Sequence, residues 1–193
     1  MSDTSTPESR DYEGVKVPAP GIFELDPAHS SVSFTVRHLM VSKVRGHFTD
    51  FAGTITVAED PAQSKAEVTI QAPSVDTRDA QRDGHLKSPD FFDVENHPTI
   101  TFTSTGLKHT SGEDFVLTGD LTVHGVTKPV ELTVEYSGMA TDPWGGERIG
   151  FSASTEIDRG EFGLTFNQSL ETGGVLVGTK AKLELEVEAV RKS

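Results

Sequence analysis

The chain has 193 residues, 34% of them hydrophobic, which suits one globular domain with a sizeable core. Its formal net charge of −13 argues against nucleic acid as a partner and disfavours adhesion to an anionic membrane face, since both are held by clustered Lys and Arg. The absence of cysteine excludes disulfides, thiolate nucleophiles and cysteine-held metal centres.

Residues 1 to about 20 are rich in Ser, Thr, Pro and acid, with few large apolar side chains. Such a segment buries too little surface to offset its ordering entropy, and a disordered acidic and polar tail is expected, followed by a single domain over 21–193. The same stretch carries neither a basic n-region nor an apolar run, so neither a signal peptide nor an anchor is predicted. No later segment reaches about 18 consecutive apolar residues, so no stable membrane insertion is expected and the protein is read as soluble and cytoplasmic.

From Ile22 onward the texture is period-two alternation. Val32, Phe34 and Val36 alternate with polar residues, as do Phe51, Ile55 and Val57, then Ala66, Val68 and Ile70. The pattern continues through Ile100 and Phe102, through Phe115 to Val123, through Val130 to Tyr136, and through Ile149, Phe151 and Ala153. It ends with Ala181, Leu183, Leu185 and Val187 set against Lys and Glu. Strict alternation predicts antiparallel strands with one wet face each. About eight of them, separated by turn signals, predict an all-β barrel or sandwich, and closure into a barrel removes exposed edges.

One segment breaks the period. Over Thr77 to about Lys87 a short inserted helix is predicted, with Asp76 or Thr77 as N-cap and Asp79 at the positive end of the dipole. Ser88-Pro89 ends it and can open a turn carrying Phe91 and Phe92. On this helix Arg78, Arg82 and His85 share a face, while Asp79, Asp83 and Lys87 form a neighbouring stripe with an Asp83–Lys87 pair. The face can meet a phosphate, carboxylate or carbonyl head group, and it is equally what a solvated surface helix with local ion pairs would show.

Other chemistry is thinly signalled. The seven histidines form neither HExxH nor a tight HxH pair, and His38 and His47 flank a turn across which they could face each other. No dedicated metal site and no required cofactor are expected. There is no GxSxG elbow and no P-loop lysine. Eleven Phe against two Tyr and one Trp leave an apolar interior with few polar handles, as both a lipid cavity and a packed core require.

Six blocks in order carry a family resemblance: LDPAHSSVSFTVRH at 25–38, VRGHF at 44–48, RDGHLKSPDFFDVENHPTITFTST at 82–105, GDLTVHGVTKPVEL at 119–132, DPWGGERIGF at 142–151 and IDRGEFG at 157–163. The chain resembles the YceI-like family of polyisoprenoid-binding, lipocalin-like proteins. The resemblance implies an extended antiparallel barrel with a long hydrophobic pocket, frequent homodimers, and a long isoprenoid lipid as ligand, such as a polyprenyl phosphate or isoprenoid quinone. On alternation and the family motifs together, Phe34, Val36, His38, Phe48, Phe102 and Phe151 are expected in the pocket, and Arg82, His85, Phe91 and Phe92 at its mouth. Two competing readings stay open: an enzyme on such a lipid with His38 or His85 as acid/base, and a structural protein whose barrel is filled.

Overall fold

The computed structural model describes residues 6–193. Its wall is an up-and-down antiparallel meander of eight staves. The first three are each interrupted by a short break: β3 (Gly21–Leu25) with β4 (Ser31–His38), β5 (Ser42–Phe48) with β6 (Phe51–Val57), and β7 (Lys65–Gln71) with β8 (Val75–Asp76). The other five are β9 (Thr99–Ser111), β10 (Asp114–Val123), β11 (Val126–Thr141), β12 (Glu147–Asp158) and β13 (Val177–Arg191). β13 closes the barrel. Along one edge it pairs with β12, Leu185 opposite Ala153. Along the other it pairs with the first stave, Ala189 opposite Leu25 and Leu183 opposite Phe34. The expected eight-stranded barrel is therefore present and the sandwich is not.

The inserted helix, α1 (Ala80–Lys87), lies between β8 and β9. It begins later than predicted. Asp79 is the N-cap, its carboxylate accepting from the Arg82 N–H at 2.9 Å. Thr77 is buried instead of capping, and its N–H and hydroxyl both donate to Asp83 Oδ1, at 2.8 and 2.6 Å. Asp83 therefore turns to Thr77 and not to Lys87. Arg78 precedes the cap with φ of 63°, so it does not share the helical face of Arg82 and His85. His38 and His47 do not face each other either: they stand opposite Ser42 and Ser33.

The expected tail also differs. β1 (Ser9–Tyr12) and β2 (Val15–Pro18) form a hairpin over one end of the barrel. Val15 and Val17 are buried there against Phe23, Phe115, Val134 and Tyr136. Arg10 donates to the carbonyls of Ala58 and Glu59, and the His109 ring meets Glu13 Oε2 at 2.6 Å and the Gly112 carbonyl at 2.7 Å. Two alternating valines and the cross-element contacts of Arg10 and Glu13 suffice to order a segment whose composition argues for disorder. The tail's first residues, 1–5, lie outside the described residues.

At this end one arginine fastens the closing seam. Arg148 on β12 donates to Asp26 at 2.7 Å, to Asp142 at 2.8 Å and to Glu188 at 2.7 Å. These carboxylates come from the break after β3, the β11–β12 turn and β13 respectively. Arg148, helped by His29, holds the Asp26 carboxyl down at about 2. Because this folded-state value lies below the ordinary one near 4, the contribution is complete above that range and is lost as pH falls through about 2. Replacing Arg148 with Met leaves three carboxylates facing one another and is expected to lower unfolding free energy by about 2–3 kcal/mol. Urea unfolding at neutral pH checks this. Asp26→Asn should flatten the acid limb of stability, read by thermal melts between pH 2 and 5.

Candidate functional site: an apolar cavity along the barrel axis

The inward face of a β-barrel holds every second residue of each strand, so the alternation of the sequence sends its apolar set inside. In this protein that set does not meet at the axis. It surrounds a cavity of about 780 Å³ lined by all eight staves, α1 and the loop before β13. Phe34, Ile55, Val68, Phe102, Leu183 and Val187 point inward yet are only partly buried, because their exposed surface faces the cavity. A filled barrel would bury them at crystal-like density.

Glycine shapes this wall at two places. A Cβ on Gly46 would stand 2.3 Å from the Phe34 ring, and one on Gly119 would stand 2.4 Å from the Phe102 ring. Each ring therefore lies over a bare patch of backbone on the neighbouring strands and leaves the axis free. Phe48 continues the aromatic lining, 5.7 Å from both Phe34 and Phe92.

The two ends differ. The hairpin end is closed by Val17 and Pro18, which themselves line the cavity. The Tyr136 hydroxyl is buried there with no hydrogen-bond partner among the described residues, and burial pushes its pKa up to about 12. The opposite end carries most of the polar lining: Arg37 and His38 from β4, the N-cap Asp79 with Gln81, Arg82 and His85 from α1, and Gln168 from the loop. Arg82 is already engaged, its Nε donating to Thr77 Oγ1 at 2.7 Å and its Nη2 to the Thr77 carbonyl at 2.8 Å. His85 meets Asp90 Oδ2 at 2.8 Å, and its ring packs edge-on against Phe91 and Phe166.

All ten residues singled out from the sequence line this one cavity: Phe34, Val36, Phe48, Phe102 and Phe151 along the wall, His38, Arg82 and His85 in the polar rim, and Phe91 and Phe92 beneath α1. Several others were missed. Phe166 sits in a loop without periodicity, where only its apolar character among polar neighbours marks it. Arg159 is buried in the wall and donates to the carbonyls of Leu164, Val177 and Gly178, folding that loop inward. Desolvation lowers its pKa, but a guanidinium remains charged. A buried arginine has the same letter as an exposed one, and nothing in IDRGEFG announces it.

A metal could be held away from the cavity. Ligand atoms of Asp93, His97 and His124 lie within 4.8 Å of one another, a donor set suited to a borderline divalent cation. The similar group Asp26, His29 and Glu188 is already neutralised by Arg148.

With this geometry, a model of the YceI-like domain matches residues 23–189. The chain belongs to the YceI-like family. Protein YceI of Escherichia coli is 47% identical over 137 residues, covering 70% of this chain and 71% of that protein. The crystal structure of the Campylobacter jejuni YceI protein superposes with a TM-score of 0.70 at 35% identity, covering 81% of this chain and 90% of that one. A polyisoprenoid binding domain from Saccharophagus degradans shares the fold, with a TM-score of 0.66 at 17% identity over 88% of this chain and 98% of that one. The family match begins after β2, so the hairpin closing the cavity lies outside it.

Thr77 joins the rim to the barrel through both Arg82 and Asp83. Thr77→Val keeps the shape and removes the hydroxyl. It should cost about 1–3 kcal/mol and speed amide exchange in α1 more than in β9–β13, measured by hydrogen exchange with mass spectrometry.

Proposed function

We propose that this protein is a noncatalytic carrier that holds a long isoprenoid lipid, a polyprenyl phosphate or an isoprenoid quinone, in its barrel. The observation that carries the reading is the row of inward-facing aliphatic and aromatic side chains left half-buried around the long cavity. Such a wall gains nothing from water and much from hydrocarbon. Each methylene-sized group taken from water contributes about 0.8 kcal/mol before ordering costs, so a chain of repeated isoprene units binds without polar contacts along its length. The polar lining at the α1 end, Arg37, His38, Gln81, Arg82 and His85, supplies donors for a phosphate or a quinone carbonyl. The name of the Saccharophagus neighbour, a polyisoprenoid binding domain on the same fold, agrees with this assignment.

Native mass spectrometry of freshly purified protein is expected to show an excess mass that transfers to organic solvent, or, for emptied protein, uptake of added prenyl chains. A protein that neither retains nor accepts any long apolar molecule overturns the reading. Because Val17 and Pro18 form the closed end, the accepted chain length should have an upper limit. Val17→Trp should lower that limit and Val17→Ala raise it, measured with a ladder of prenyl alcohols of increasing length.

A further inference from the structure

The β4–β5 hairpin stands beside the polar rim and presents the protein's least sheltered run of apolar side chains. Leu39, Met40 and Val41 are 37%, 52% and 82% exposed at its tip. The tip is held in shape: Leu39 N–H donates to the Leu176 carbonyl at 2.9 Å and Val41 N–H to the His38 carbonyl at 3.1 Å. Leu39 and Met40 both have positive φ, 52° and 60°, left-handed conformations that Asn or Gly ordinarily supplies, within the three-residue connection between the paired His38 and Ser42. Leu176 and His38 line the cavity, so the tip borders its opening.

The charge around the tip runs against that of the whole molecule. Residues 27–49 contain no Asp or Glu, in a chain that carries 30. Within this stretch Arg37 stands directly opposite Lys43, and Arg45 lies two residues further along, opposite Thr35. All three are exposed and none has an ion-pair partner among the described residues. Glu184 lies within electrostatic reach of Lys43 and Arg45, and it is itself bound to Lys182 at 2.7 Å. Two like charges set face to face on a hairpin are unfavourable in isolation and are relieved by an anionic surface. At about 0.1 M salt the Debye length is about 10 Å, so most of the protein's acidic surface is screened from a plane touching the tip.

We propose that the β4–β5 tip is a membrane-docking element: Leu39, Met40 and Val41 enter the interfacial region of an anionic bilayer while Arg37, Lys43 and Arg45 meet its head groups, which brings the cavity mouth to the lipid surface. Shallow insertion of a few apolar side chains with a basic rim is the physics of peripheral binding and needs no spanning segment. Its biological use rests on the carrier reading above, but docking is measurable without any cargo.

The experiment is vesicle co-sedimentation of the full chain with phosphatidylcholine vesicles, with and without 30% phosphatidylglycerol, in 0.1 M salt. Binding is expected only to the anionic vesicles. The double change Lys43→Gln with Arg45→Gln should weaken it roughly tenfold to thirtyfold, at about fivefold per charge. Met40→Asp with Val41→Asp should abolish it, with unchanged thermal melts showing that the barrel is intact. In parallel, uptake of a fluorescent prenyl lipid is followed from vesicles and from detergent micelles. The tip variants should slow the first and spare the second. Failure to bind anionic vesicles, or binding indifferent to both variants, overturns the docking proposal even if micelle loading succeeds. Vesicle binding without loading from either source overturns the carrier reading and leaves docking standing. If the tip is a contact between copies, the Met40/Val41 variant instead changes the sedimentation mass and the full chain ignores vesicles, which also overturns docking.

Discussion

Everything in this molecule depends on β13 finding a partner along both edges. Once β12 lies on one side and the β3–β4 stave on the other, the backbone ladder runs round the ring, and only the stretch of β5 near the mouth keeps an unpaired edge. The wall then stands on hydrogen bonds between neighbours and on packing near the hairpin end, so the axis need not be filled. A sandwich of the same sequence would have no such freedom, because its two sheets hold together only through side chains that meet between them. The empty axis is therefore a consequence of closure, and the Arg148 clasp across β12, β13 and the end of β3 protects the seam on which closure depends.

The breaks in the first three staves fall side by side, at 26–30, 49–50 and 72–74, and bend one sector of the wall. Beyond them β5 keeps only two paired residues on its outer side, His47 and Phe48 with Asp76 and Val75. Residues 42–46 are paired only with β4. α1 and the Phe91–Phe92 turn lie in the connection between β8 and β9, on the side where the third stave stops short. The barrel is thus a paired sheet at the hairpin end and assembled from helix, turn and loop at the other, which is the division a container with one mouth requires.

The inward set was legible because burial on a strand has period two, and a one-residue slip would have misplaced all of it: Phe34, Val36, Phe102 and Phe151 follow from alternation plus motif. The helix was legible as a loss of that period, but not its first turn, because Asp76, Thr77 and Asp79 are all good caps and only tertiary contacts decide among them. Thr77 is drawn inward by Asp83 and Arg82, and Asp79 takes the cap. The N-terminal hairpin was missed for a related reason. Its order comes from Val15, Val17 and from partners about 50 to 140 residues away, such as Ala58, His109 and Glu147, and composition averages over such contacts. The cationic face of Arg78, Arg82 and His85 was read from ideal helical spacing and failed where the left-handed backbone at Arg78 interrupts the geometry.

The ring of strands, its seam and its mouth all lie within residues 21–191, whereas the β1–β2 hairpin that stoppers the opposite end is an appendage joined through a single crossing at Ala19-Pro20. Depth and architecture are consequently encoded in separate stretches of chain. Evolution, or a protein engineer, can exchange the stopper for a shorter, longer or absent one without renegotiating a single pairing of the barrel, turning a closed flask into an open conduit by editing one end of the polypeptide.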